Sequence, residues 1–233
     1  MMLTIIIPVY NEINTLEKIL DKIDEVDFMS KEIIIVDDAS TDGTKSLIEK
    51  KLLKRASKVI FHKKNLGKGS AIKSAQNFIN GDYVIIQDAD LEYNPQDYLN
   101  LLKPIIEGKY KVVYGSRVLN KNRYKLKNFT SIFRIFANHI LTIISNLLNK
   151  QKLTDAHTCY KLFKSDVFRR LNLQENGFSF CPEVTTKISN MNIEIFEVPI
   201  SYNGRDYKSG KKIRFLDAIK ALLTLIRYKF IKK

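Results

Sequence analysis

Short β-branched runs alternate with stretches of helical spacing along the first ninety residues. Leu3 to Val9 predicts a first strand, ending at Pro8, which has no N–H to give to a ladder. Leu16, Ile19, Leu20 and Ile23 then recur at helical intervals behind Asn14 or Thr15, either of which suits an N-cap. Glu32 to Val36 predicts a second strand. Ser40-Thr41-Asp42-Gly43 is turn and cap chemistry, opening a helix through Leu47, Ile48, Leu52 and Leu53. Lys58 to His62 predicts a third strand, Ala71 to Ile79 a helix, and Asp82 to Gln87 a fourth strand. Strand and helix at such intervals predict an α/β fold: a mostly parallel central sheet with flanking helices and its sites at the strands' carboxyl ends. The clusters Tyr10 to Glu12, Asp37-Asp38 and Asp88 to Glu92 all fall at such ends.

Further along, Lys111 to Tyr114 predicts another strand, followed by Gly115-Ser116-Arg117 and a basic linker from Asn120 to Asn128. Phe129 to Leu148 reads as a helix with Phe133, Phe136, Ile140, Ile144 and Leu147 along one stripe. Core packing is the default for such a stripe, and a helix lying in a membrane interface is the sharper option. Asp155 to Phe163 and Phe178 to Glu183 follow no period. Glu194 to Ser201 is edge-like and carries Pro199; Arg205 to Ile213 is a basic loop; Phe215 to Tyr228 is a last helix with Leu216, Ile219, Leu223 and Ile226 on one face.

Length, 233 residues, suits one domain. Lys+Arg 39 against Asp+Glu 25 gives +14, a balance that favours phosphorylated substrates, an anionic membrane surface or nucleic acid. Two cysteines and three scattered histidines supply neither a disulfide framework nor a zinc-type spacing. The first residues lack the pattern of a signal peptide, and no apolar window reaches a membrane span, so the expectation is a soluble or peripheral protein. No G-x-G-x-x-G follows the first strand, and no P-loop occurs. The Gly67-Lys68-Gly69 loop offers backbone N–H groups to phosphate or is a plain turn.

Candidate chemistry concentrates in Asp88, Asp90 and Glu92, which would point the same way if the backbone stays extended past Ile86. Converging carboxylates call for a cation, and an all-oxygen set suits Mg²⁺ or Mn²⁺ completed by phosphate oxygens.

Six motifs in order then resemble family 2 inverting glycosyltransferases. They are Ile7-Pro8-Val9-Tyr10-Asn11-Glu12, Val36 to Thr44, Asn65 to Gly69, Asp88-Ala89-Asp90, Tyr114 to Arg117 and the Arg205 to Lys211 loop. The last two resemble the dolichol- or polyprenol-phosphate hexosyltransferase branch. Thr158-Cys159-Tyr160-Lys161 and Gly210-Lys211-Lys212-Ile213 look like its bacterial members. The resemblance implies a glycosyltransferase A-type nucleotide-binding sandwich, with residues up to about 118 serving the nucleotide sugar and the rest the acceptor. By the same resemblance Pro8, Tyr10, Glu12, Val36 and Asp38 hold the nucleoside, Asp88 and Ala89 touch the donor, and Asp90 is the main metal ligand. Glu92 stands where a relative has Gln as second ligand; Arg117 faces the phosphates, and Arg205 and Lys211 close over them. Two departures matter: Lys127, four residues before Ser131, replaces an arginine, and Lys208 replaces a glycine. Lysine at 127 loses bidentate phosphate binding.

The implied donor is of GDP-mannose or UDP-glucose type and the implied acceptor a polyprenyl phosphate at the cytoplasmic face of a membrane. A lipid phosphate has a second pKa near 6, roughly, and so arrives ionised without a general base. A hydroxyl acceptor would need one, and Glu183 is the candidate, unless it pairs with a local lysine or caps a helix. A nucleic-acid-binding protein is the poorer alternative, because the aromatics lie in apolar stripes and not among the basic clusters.

Overall fold

The computed structural model describes residues 1–119, 129–205 and 215–231, with backbone alone for 129–135 and 215–216. Seven strands form one sheet in the order β3-β2-β1-β4-β6-β5-β7. Strands β1 (Met2–Val9), β2 (Ser30–Asp37), β3 (Lys58–Phe61) and β4 (Tyr83–Ile86) are parallel, with β1 between β2 and β4. Ile5 to Ile7, Ile34 to Val36 and Val84 to Ile86 are wholly buried, as expected of strands covered on both faces. Helices α1 (Leu16–Asp24), α2 (Thr44–Leu47) and α3 (Lys68–Ala75) supply the crossovers. In α1 the four apolar positions Leu16, Ile19, Leu20 and Ile23 all reach the core.

Three boundaries differ from expectation, the first being α3, which begins at Lys68 and not at Ala71 and is regular only to Ala75, with a tighter turn over Gln76–Phe78. Strand β1 continues one residue past Pro8, because pairing with β4 has already stopped at Ile6 opposite Ile86, while Pro8 stays in register with Val36 of β2. The helix expected through Leu53 is regular only as α2; it continues as a wider turn through Leu52, then tightens through Arg55, leaving Leu53 exposed.

The aperiodic stretch from Asp155 leads into a strand that was not expected, while the edge-like strand expected over Glu194 to Ser201 is present. β6 (Lys161–Lys164) runs antiparallel between β4 and β5 (Val112–Ser116), and β7 (Ile195–Pro199) lies outside β5 in parallel. Both halves of the chain therefore share one sheet and one continuous core. The buried Lys161 disguised β6: its amine donates to the carbonyls of Ala156 (3.0 Å) and Thr158 (2.7 Å) and lies 4.0 Å from the Tyr114 ring centre. Helices α4 (Tyr98–Ile106), α6 (Ser165–Arg170) and α7 (Phe180–Asn190) pack around this part.

Helices α5 (Phe129–Asn149) and α8 (Phe215–Ile226) pack on α7 and on each other, and both are inverted. On α5, Phe136, Ile140 and Leu147 of the expected stripe face out with Ile143 beside them and Ile144 is half-buried, while Leu141, Thr142, Ser145 and Asn149 face in; the Phe133 side chain lies outside the described residues. Asn149 reaches Thr186 of α7 with its amide, and its carbonyl accepts from Ser189. On α8 and the turn after it, Ile219, Leu223, Ile226 and Phe230 face out over buried Ala221, Thr224, Leu225 and Tyr228. The stripes were legible, but on the described residues their apolar side is not the core side.

Candidate active site

Strands β1 and β4 part company beyond Ile6 and Gln87, opening a crevice at the point where successive strands turn to opposite sides of β1. Each strand end there turns through a left-handed residue: Asn11 (φ 55°), Ala39 (φ 60°) and Leu91 (φ 62°). For a bulky leucine this conformation is costly, and such strain concentrates at functional sites. It also corrects the extended geometry expected of Asp88 to Glu92. The strand stops at Ile86, and the chain turns so that Asp90 Oδ1 accepts the Glu92 N–H at 3.1 Å.

The turn collects charge. Arg205 forks onto Glu12, with Nη1 3.1 Å from Oε2 and Nη2 3.0 Å from Oε1, and Nη2 also lies 3.1 Å from Asp90 Oδ2. Its backbone N–H donates to Glu92 Oε1 at 2.7 Å, and the Tyr202 hydroxyl donates to Glu92 Oε2 at 2.8 Å. A strap from Tyr202 to Arg205 is thus fastened over the crevice, with Asn203 N–H on the Glu92 carbonyl. Asp88 is paired with Lys68, whose amine is also 3.1 Å from Cys159 Sγ. Burial, then the charges of Asp88 and Glu92, push the Asp90 carboxyl up to about 7 against the pull of Arg205.

Asp38 faces inward. Its oxygens accept from His62 (2.7 Å), Leu66 N–H (2.8 Å) and Gly67 N–H (2.7 Å), tying the end of β2 to the loop before α3. The glycines of that loop serve packing: a Cβ on Gly67 or Gly69 would lie 2.6 or 2.3 Å from the carbonyl oxygens of Asn176 and Glu175. Val36 and Ala89 are buried in the floor of the crevice, with Pro8 and Tyr10 partly exposed at its edge.

Arg117 is clamped by Asp155, with Nε 2.7 Å from Oδ2 and Nη2 2.9 Å from Oδ1, and its guanidinium lies 5.0 Å from the Tyr202 ring centre. It therefore reaches the strap through an aromatic face. Glu183, at the start of α7, is fully buried. It accepts from the N–H groups of Gln174 (2.7 Å) and Glu175 (2.9 Å) and from Lys187 Nζ (2.8 Å). Lys127, Lys208 and Lys211 lie outside the described residues, and Ser131 has a described backbone only. Lys68, Asp155 and Tyr202 belong to the site without having been read as such; Lys68 alone carried a signal, inside the glycine-bearing motif.

Residues 4–171 match glycosyl transferase family 2. The chain belongs to that family. Among curated relatives, this family 2 chain is 26% identical over 202 residues to glycosyltransferase AglJ of Haloferax volcanii, covering 86% of its own length and 63% of that protein. It is 27% identical over 243 residues to dolichyl-phosphate beta-glucosyltransferase ALG5A of Trichomonas vaginalis, covering 97% and 72%. Among solved structures, glucosyl-3-phosphoglycerate synthase from Mycobacterium tuberculosis, in complex with Mn²⁺, UDP and phosphoglyceric acid, superposes with a TM-score of 0.70 at 17% identity. That match covers all of this family 2 chain and 80% of the synthase. The shared feature is the fold: an α/β sandwich around a mostly parallel sheet, as the strand pattern predicted.

Proposed function

We propose that this glycosyltransferase moves a hexose, with inversion and metal dependence, from a nucleotide sugar to a polyprenyl phosphate while held peripherally at the cytoplasmic face of a membrane. The observation that carries the reading is the crevice beyond β1 and β4, where Glu12, Asp88, Asp90 and Glu92 meet Lys68 and Arg205. An all-carboxylate set, one member of which is pushed up to about 7 despite an arginine beside it, is short of positive charge. Among the described residues no three carboxylate, imidazole or thiol groups form a cage for an ion. Mg²⁺ or Mn²⁺ nevertheless needs only one or two carboxylates and completes its shell with phosphate oxygens, so two of these acids together with a diphosphate would suffice. Asp88 and Asp90 would hold it, with Glu92 beside them. When bound, such an ion neutralises the departing nucleoside diphosphate.

The chain's own groups do the rest. Pro8 and Tyr10, partly exposed at the edge, frame the nucleoside, and Val36 and Asp38 support that edge from beneath, Asp38 by tying β2 to the loop before α3. Arg205 presents a cation where charge grows on the diphosphate, Arg117, spent on Asp155, braces the strap through the Tyr202 ring, and Lys211 keeps only the role the sequence resemblance implies. Attack by an ionised lipid-phosphate oxygen forms the new C1–O bond as the C1–O bond to the diphosphate breaks. No proton has to be removed first, so a base is unnecessary. Support for the acceptor comes from the relative ALG5A and from the inverted helices. Exposed apolar stripes on α5 and α8, on a chain of net charge +14, suit an anionic leaflet, where each nearby Lys or Arg contributes about 1 kcal/mol. Among the described residues no helix is long and apolar enough to cross a membrane.

The test is incubation of the full chain with a panel of nucleotide sugars, a short-chain polyprenyl phosphate and Mn²⁺ or Mg²⁺, reading lipid-linked sugar. Product from one donor class, abolished by chelator, is the expected result. Turnover indifferent to chelator refutes the metal, and product only on hydroxyl acceptors refutes the lipid.

A further inference from the structure

We propose that Arg205 is a displaceable internal counter-ion that makes metal binding conditional on the nucleotide diphosphate. The inference rests on the donor reading above and adds a coupling to it. The Arg205 guanidinium holds two carboxylates, Glu12 at 3.0–3.1 Å and Asp90 at 3.1 Å, and Asp90 is the residue an incoming cation would need. Two cations drawing on one carboxylate repel at this range, so a metal ion arriving alone must compete with a tethered rival. The tether is short. Arg205 lies two residues beyond Asn203, Tyr202 and Asn203 are fastened to Glu92, and its own N–H donates to the same carboxylate, which keeps the guanidinium at a high effective concentration.

A nucleoside diphosphate changes the balance, because its oxyanions match the guanidinium fork as well as a carboxylate does. Arg205 has a reason to accept them: its Nε–H is buried without an acceptor in the present arrangement. Once the guanidinium moves to the diphosphate, Asp90 is released to the cation, and by linkage each ligand raises the affinity of the other equally. Lys68 does not share this freedom, since it issues from the first turn of α3 and lies between Asp88 and Cys159. A site built this way stays closed to divalent ions until a donor is present.

Mn²⁺ binding, read as loss of the free-ion electron paramagnetic resonance signal, tests the coupling without any turnover. Arg205→Met should bind Mn²⁺ alone about tenfold tighter than the wild type, a size usual for coupled sites. Addition of UDP or GDP should tighten Mn²⁺ binding to the wild type by about tenfold and to the variant by clearly less. Arg205→Lys, which keeps the charge and loses the fork, should fall between the two and serves if the methionine variant misfolds. Equal or weaker Mn²⁺ affinity in both variants overturns the inference. Tight Mn²⁺ binding by the wild type alone, with no gain from nucleotide, sinks the coupling and leaves the donor reading standing. No binding of Mn²⁺ with or without UDP or GDP sinks both.

Discussion

The crevice beyond β1 and β4 and the outer faces of α5 and α8 break the ordinary burial rule in opposite directions. In the first, Glu12, Asp38, Glu92 and Arg117 are buried and each is held by its own polar partner, Arg205, His62, Tyr202 and Asp155 in turn; in the second, Leu147 at 77% and Leu223 at 60% exposure face outward. Folding alone selects neither. Buried charge is tolerated only when paired, and contiguous exposed apolar surface marks an interaction site. Among the described residues each region is incomplete in a different sense: the crevice gathers more carboxylates than cations, and the helix pair has no cover. A donor with its metal and a membrane would complete one each.

The largest expected effect falls on the crevice. Asp90→Ala should lower transfer by roughly a hundred- to a thousandfold, the range seen when one preorganised electrostatic partner is lost. Melting temperature should not fall. Retained turnover would detach the acids from the chemistry and leave the comparison without its first half.

Next comes the helix pair. Leu147→Glu with Leu223→Glu should weaken partition onto anionic vesicles by about a hundredfold in a sedimentation assay, since each leucine contributes roughly 1.5–3 kcal/mol when buried. Because both side chains are already exposed, folding should be unchanged. Unchanged vesicle binding would return the stripes to a role within proteins.

The two regions differed in legibility as well. The parallel strands and their carboxyl ends could be read because contiguous buried runs such as Ile33 to Val36 end in turn residues, and the sites follow from that geometry. What stayed hidden depended on partners distant in sequence. Asp155 is paired to Arg117 and Tyr202 to Glu92 across 38 and 110 positions, in stretches with no period. Lys161 broke the strand pattern of β6 because its charge is met by carbonyls a few residues earlier, which no hydropathy rule anticipates. On α5 the stripe was visible but its direction was not, because the inward face is held by Ser145 and Asn149, which score as surface residues.

A third test weighs the charge kept inside the crevice. The Asp90 carboxyl ordinarily titrates at 3.8 and is pushed up to about 7 in the folded chain, by burial first and then by Asp88 and Glu92. A carboxyl raised on folding holds its proton longer in the native state, so its contribution to stability falls as pH rises from about 4 to about 7. Asp90→Asn removes that loss. In chelator, denaturant melts should show the variant more stable than the wild type by roughly 1–3 kcal/mol at pH 8, with the gap closing near pH 4. Equal stability at both pH values would mean that Arg205 already compensates the cluster fully, and the crevice would no longer be short of charge.

The smallest effect on transfer is expected at Glu183, and it separates the two acceptor chemistries. Both its oxygens are engaged by the Gln174 and Glu175 N–H groups and by Lys187, all within the fold at the start of α7. With a lipid phosphate as nucleophile nothing in the reaction calls on this carboxylate. Glu183→Gln should therefore leave the rate per folded molecule within about threefold, while the loss of a charged acceptor costs about 1–3 kcal/mol of stability. A hydroxyl acceptor would reverse the pattern, because losing a general base lowers the rate by about a hundredfold or more. A stable Glu183→Gln protein with transfer reduced to that extent would place the base in α7 and return the acceptor to a glycan.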